Sequence, residues 1–166
     1  MKNITLIGMP GSGKSTLGVL LAKTLGFGFV DTDLVIQQRE GDLLQNILDK
    51  VGTEAFLDLE ADAICSVDCD KTVIAPGGSV ICRERGIEHL RALGPVVYLR
   101  IPCDVLERRI HNMGSRGIAF RPGETLKDIY DYRTPLYEKY ADIVVDGDKG
   151  SLEETLAAVL QALIGM

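Results

Sequence analysis

GMPGSGKST, residues 8–16, meets the phosphate-loop pattern G-x-x-x-x-G-K-[ST], with Gly8, Gly13, Lys14 and Ser15 at the required places. Ile4-Thr5-Leu6-Ile7 ahead of it has the apolar, β-branched content of a buried strand. Thr16-Leu17-Gly18-Val19-Leu20-Leu21-Ala22 behind it resumes at helical spacing. Strand, loop and helix in that order are the setting the motif requires. The stretch therefore implies an α/β fold whose first strand ends at a nucleoside triphosphate.

The spacing follows from the need to bring backbone against a polyanion. Gly8, Gly11 and Gly13 remove the Cβ atoms that would obstruct the approach, so that the N–H groups of Gly11, Ser12 and Gly13 can turn inward. The helix starting near Lys14 adds the partial positive charge of its N-terminus. Lys14 would reach the β- and γ-phosphates, the Ser15 hydroxyl would ligate Mg²⁺, and Thr16 is a weaker candidate for the α-phosphate.

Working outward, apolar runs recur at residues 4–7, 28–30, 72–75, 96–101 and 143–145, with helical patterns between them. That alternation predicts a parallel sheet with helices on both faces. The last helix is marked by Ser151 and Glu154 as a capping box and by a stripe of Leu152, Leu156, Val159, Leu160 and Leu163. No repeat, low-complexity tract or linker divides the chain, so a single domain over residues 1–166 is expected.

Composition narrows the function classes. With 18 Lys and Arg against 24 Asp and Glu, a formal net charge of −6, and no basic stripe, nucleic-acid binding is not expected. The absence of a long apolar run or a signal-peptide pattern predicts a soluble, cytoplasmic protein that does not bind membranes. Nothing marks a large exposed apolar face, and a monomer is expected. Cys65, Cys69, Cys82 and Cys103 lack CxxC spacing, and His89 and His111 are isolated, which argues against zinc. The cysteines are expected as buried apolar side chains, with Cys65 and Cys69 on one face of a helix.

Ligands of such sheets bind beyond the carboxyl ends of the strands. After the second run comes Asp31-Thr32-Asp33, two carboxylates suited to an acceptor hydroxyl or Mg²⁺, or equally to capping the next helix. After the third comes Pro76-Gly77-Gly78-Ser79, a place for close backbone approach or a tight turn. Beyond the fourth, a helix over residues 102–111 leads into residues 114–123, where glycines, a proline and two arginines read as a lid or a solvated loop.

GMPGSGKST, then DTD at 31–33, PGGSV at 76–80 and RTPLYEKYAD at 133–142 occur in the order and spacing of shikimate kinases, and the chain resembles that family over nearly its whole length. The resemblance implies a three-layer P-loop kinase fold with a five-stranded parallel sheet, a substrate-binding region at about 32–60 and a lid at about 112–124. It implies ATP and Mg²⁺ as cofactors and phosphorylation of a small hydroxy acid, shikimate to shikimate 3-phosphate, in aromatic amino acid biosynthesis. In that pattern Lys14, Asp33 and Arg116 are catalytic. Asp33 holds the acceptor hydroxyl and assists its deprotonation. Asp31 sits near Mg²⁺ through water, Arg133 grips the acceptor's carboxylate, and Gly77 and Gly78 present backbone to it. Arg116 swings in with the lid, and Arg109 packs near the adenine, although either Arg108 or Arg109 could instead be solvated.

Three departures fall on the acceptor side or lid. The family's G-E-x-x-F-R-x-x-E stretch places an arginine that contacts the substrate carboxylate where this chain has Leu57. Pro76 replaces the first of three glycines, and Arg116-Gly117-Ile118-Ala119 stands where the family has R-P-L-L. Arg121, Arg83 and Arg85 are the cations available to replace the missing arginine. The open alternatives are a kinase of a different small hydroxy compound, with Leu57 packing on an uncharged part of it, and an idle nucleotide-binding module.

Overall fold

The five apolar runs become five strands, each continuing until a turn residue or a charged side chain stops it. The computed structural model describes residues 3–111 and 123–166. In chain order the elements are β1 (Asn3–Ile7), α1 (Lys14–Leu25), β2 (Gly28–Asp31), α2 (Thr32–Glu40), α3 (Leu44–Val51), α4 (Thr53–Cys65) and β3 (Thr72–Ala75). A 3-10 helix (Gly78–Cys82) follows, then α5 (Glu84–Leu93), β4 (Val96–Arg100), α6 (Cys103–His111), α7 (Leu126–Tyr140), β5 (Ile143–Asp146) and α8 (Leu152–Ile164). The strands form one parallel sheet in the order β2-β3-β1-β4-β5.

Period-two alternation divides the strands' side chains between two cores. Ile4 and Leu6 of β1 join Val97 and Leu99 of β4 in the core under α1 and α8, whereas Ile7, Val96 and Tyr98 face the core that α7 covers. Both faces are buried, which is why β1 and β4 read as nearly continuous apolar runs. Between β3 and β4, on either side of β1, the chain reverses its winding direction, and a crevice opens there at the carboxyl ends of the strands. A third apolar cluster of Ile36, Leu44, Ile47, Leu48, Phe56, Leu57 and Ala63 ties α2, α3 and α4 together beside that crevice.

Two expectations need correction. The α8 capping box forms in both directions between Ser151 and Glu154, but Leu152, at the first helical position, is 38% exposed, and Thr155 instead leads the buried stripe of Val159 and Leu163. The expected pairing of Cys65 and Cys69 on one helix face fails because α4 ends at Cys65 with Ser66 as its cap. Lys71 then takes a left-handed φ of 49° as the chain turns into β3. Cys65 is exposed, the other three cysteines are half-buried, and all four are free. The termination of α4 comes from the chain's need to enter the sheet, which helix periodicity does not encode.

The amino end of the sheet is closed by one polar residue. The buried Asn3 donates from Nδ2 to the carbonyls of Cys69 and Leu93, at 2.9 and 3.3 Å, and its Oδ1 accepts from the Thr72 N–H at 3.0 Å. Gly94 packs so closely on the Asn3 backbone that no side chain fits there. Replacing Asn3 with alanine strands a buried N–H and two carbonyls, so Asn3→Ala is expected to lower unfolding free energy by about 2 to 4 kcal/mol in urea titrations.

Candidate active site

The chain segments that emerge at the carboxyl ends of β1, β2 and β3 enclose a cleft of about 370 Å³. Gly11, Gly13, Lys14, Ser15, Thr16, Asp31, Asp33, Gly77, Gly78, Arg109 and Arg133 all line it, so most of the predicted site residues meet in one place. Ser12 lies buried in the same loop with its N–H on the Met9 carbonyl at 3.2 Å, and its hydroxyl has no partner among the described groups. Arg116 and Arg121 lie outside the described residues, and the predicted lid is described only from Gly123 onward.

The phosphate loop is shaped for an anion. Gly11 and Gly13 take left-handed φ values of 81° and 92°, conformations that a side chain would strain. Gly13 begins α1 without a side-chain cap, and no acidic residue sits in the first turn. The helix's N-terminal N–H groups and its positive dipole end are therefore left for a ligand. The buried Lys14 ammonium donates to the Gly8 and Met9 carbonyls, both at 2.9 Å, which holds its charge across the loop mouth. Arg109 donates to the Gly11 carbonyl at 3.1 Å, whereas the Arg108 side chain is 73% exposed beside Asp104; this places Arg109 at the site and Arg108 on the surface. Nucleotide phosphates and Mg²⁺ fit this donor set, in which Ser15 and Asp31 are the oxygen ligands available near the loop.

The facing wall is built from α2, α4, α7 and the segment after β3. Asp31 caps α2 by accepting from the Asp33 N–H at 2.9 Å while still lining the cleft, so the capping and ligand-facing readings hold together. A Cβ on Gly78 would come within 2.7 Å of Pro10 Cδ, so the acceptor-side loop can lie against the phosphate loop only with glycine there. Tyr137, one turn after Arg133 on α7, stacks on Tyr98 with ring centroids 5.1 Å apart and donates its hydroxyl hydrogen to the Gly78 carbonyl. Arg133 is itself 3% exposed.

Of the three cations expected to stand in for the family's arginine, Arg121 lies outside the described residues, and Arg83 and Arg85 are held away from this wall. Arg83 is clamped to Glu54 and Asp58, each at 2.8 Å, and Arg85 to Asp62 at 2.7 Å, along the outer side of α4. Leu57 is 2% exposed within the third apolar cluster and borders a small void shared with Thr53, Cys82 and Arg133 rather than the main cleft.

Sequence reasoning assigned no role to Glu60, which is 2% exposed and lines the cleft. Its Oε1 accepts from the Ser79 hydroxyl at 2.7 Å. Its Oε2 lies 2.9 Å from where a Cβ on Gly77 would sit, and Asp33 Oδ1 lies 3.0 Å from the same point, so the two carboxylates flank one Cα. Burial pushes the Glu60 carboxyl up to about 7; the nearby Asp33 charge adds to this, and Ser79, Arg133 and Lys14 oppose it. The signal was present in the sequence as a carboxylate one turn after Phe56 on an otherwise apolar helix face.

A family model described as Shikimate kinase matches residues 10–164. The chain belongs to the shikimate kinase family. It is 37% identical over 164 residues to a shikimate kinase of Thermodesulfovibrio yellowstonii, covering 97% of this chain and 94% of that protein. It is 38% identical over 167 residues to one of Pseudomonas paraeruginosa, covering 98% and 96%. Among solved structures, shikimate kinase from Acinetobacter baumannii in complex with shikimate superposes with a TM-score of 0.89 at 29% identity, covering 99% of this chain and 94% of that one. The Aquifex aeolicus shikimate kinase follows at a TM-score of 0.81 and 32% identity, covering 98% and 96%. The expected α/β P-loop kinase fold is thus the fold of this shikimate kinase family chain.

A carboxyl raised on folding favours the native state below its ordinary value of 4.5, and that contribution is lost as pH rises to about 7. Removing the charge in Glu60→Gln should therefore leave stability near pH 4.5 little changed. Above neutrality the variant should gain on the order of 3 kcal/mol over the parent, measured as paired denaturation curves across pH.

Proposed function

We propose that this protein is an ATP-dependent shikimate kinase that phosphorylates the 3-hydroxyl of shikimate. The observation that carries this reading is one cleft holding a phosphate loop with its lysine in place directly opposite Asp33, Gly77, Gly78 and Arg133. The relative from Acinetobacter baumannii, described in complex with shikimate, supports the choice of acceptor.

In this reading Lys14 and the N–H groups of residues 11–16 hold the triphosphate, and Arg109 steadies the loop beside the base. Thr16 serves the α-phosphate. Ser15 and, by way of water, Asp31 would hold Mg²⁺, which would supply charge neutralisation at the phosphate oxygens. Arg133 takes the acceptor's carboxylate, and the Gly77 and Gly78 backbone orients its ring. Asp33 accepts the proton of the attacking hydroxyl as that oxygen bonds to the γ-phosphorus and the bond from that phosphorus to the bridging oxygen breaks, releasing ADP. Arg116, outside the described residues, is the cation that completes the site when the lid closes.

Phosphoryl transfer needs positioning and charge stabilisation more than covalent help, and the acceptor wall supplies both. An ADP-release assay over shikimate, quinate, gluconate and homoserine tests the reading: saturable turnover is expected with shikimate. Asp33→Asn should lower turnover by about 10² to 10⁴ with ATP affinity kept. Arg133→Ala should weaken shikimate by roughly 30-fold or more, since it strands a carboxylate in a desolvated pocket. Nucleotide binding without turnover on any acceptor would overturn the assignment.

A further inference from the structure

Leu57 brings no cation to the acceptor wall, and among the described residues the side chain of α4 that lines the cleft with a charged group is Glu60. Glu60 lies one turn after Phe56 on α4, buried, facing the cleft, with one oxygen fixed by Ser79 and the other directed to the Cα of Gly77 beside Asp33. Two carboxylates flanking one Cα, one of them almost fully buried, resist double ionisation. Asp33 is the member at the end of β2, in the first turn of α2, where the proposed chemistry requires a base. Glu60 is the more deeply buried member, and burial favours its protonated form.

Among the described residues, the positive charges that face Glu60 are shared with the rest of the cleft. From α1 and its loop it faces Lys14, whose ammonium is engaged by the Gly8 and Met9 carbonyls, and from α7 it faces Arg133. From α2 it faces Asp33, and from the 3-10 helix the neutral Ser79. From α3 come the apolar side chains of Leu44, Ile47 and Leu48, and the arginines flanking α5 are held by Glu54, Asp58 and Asp62 on the outer side of α4.

We infer that Glu60 binds the acceptor directly in its protonated form, donating its carboxyl hydrogen to the bound acid in place of the guanidinium that Leu57 lacks. The inference rests on the proposed function and specifies how this chain recognises an anionic acceptor beside Arg133. A protonated carboxyl is a neutral donor that adds no desolvated charge, so it suits a wall that already holds Asp33. Recognition of the acceptor is then coupled to a proton. Below about pH 7 the proton is already in place, and above it binding must draw one from solvent.

The test is calorimetric titration of shikimate into nucleotide-free protein from about pH 6 to about pH 9, in two buffers of different ionisation enthalpy. Leaving out nucleotide removes the titration of its own phosphates. The expected result is an affinity that falls by about tenfold per pH unit above about 7, with uptake of about one proton. Glu60→Gln keeps a donor that cannot ionise, and its affinity should be flat across the same range. Binding by the parent protein that is independent of pH and takes up no proton overturns the inference alone, as does a folded Glu60→Gln with the parent's slope or with no shikimate binding. Should that variant fail to fold, the parent's proton count decides. Absence of shikimate binding at every pH overturns the proposed function and this inference with it.

Discussion

The site depends on the contact between two loops that have no room for a side chain between them. Gly78 lies against Pro10 and the Gly8 carbonyl, and the Tyr137 hydroxyl binds the Gly78 carbonyl while its oxygen lies 3.9 Å from the Met9 sulfur. The two loops carry opposite halves of the proposed reaction, one the donor phosphates and the other the acceptor. Their separation is set by van der Waals contact and one buried phenol, not by flexible side chains. Preorganisation of this kind turns a bimolecular encounter into an oriented one, which is where much of the rate of phosphoryl transfer originates.

What the sequence showed of this arrangement followed from local rules. The phosphate loop, the five strand runs and the capping box at Ser151 each rest on residues adjacent in the chain, and each formed as expected. Asp33 and Gly77 were legible from the strand ends they follow, whereas Arg133, on a helix late in the chain, was legible only through the resemblance. Cys65 and Cys69 went astray because α4 stops where the chain must turn into β3, a tertiary demand that outweighs helical spacing. Leu152 went astray because it occupies the outward side of the first turn that the capping box defines. Glu60 was missed because it is one of four acidic residues on α4 and reads as a solvated charge until its burial and its Ser79 partner are known.

Within the shikimate kinase family the departure at Leu57 alters more than one contact. Leucine there joins Phe56 and Ile36 in the apolar cluster, so the position has moved from acceptor recognition to support of the wall. The nearest surface arginines cannot return to the cleft, since Arg83 bridges two carboxylates on the far side of the helix. Among the described residues the acceptor half holds Arg133 of α7 with a carboxylate pair beside it, a balance quite unlike that of the phosphate half.

The third apolar cluster joins α2, α3 and α4 to one another with side chains distinct from those of the two cores on the sheet, and only the half-buried Cys82 packs against both it and one of them. This gives the molecule a seam. Changes along the seam's outer side can reshape the chamber that receives the acceptor while the platform for the triphosphate keeps its own foundations. An inherited fold can in this way diversify its choice of small alcohol by altering a cassette of about thirty residues, with the energy source left as it was.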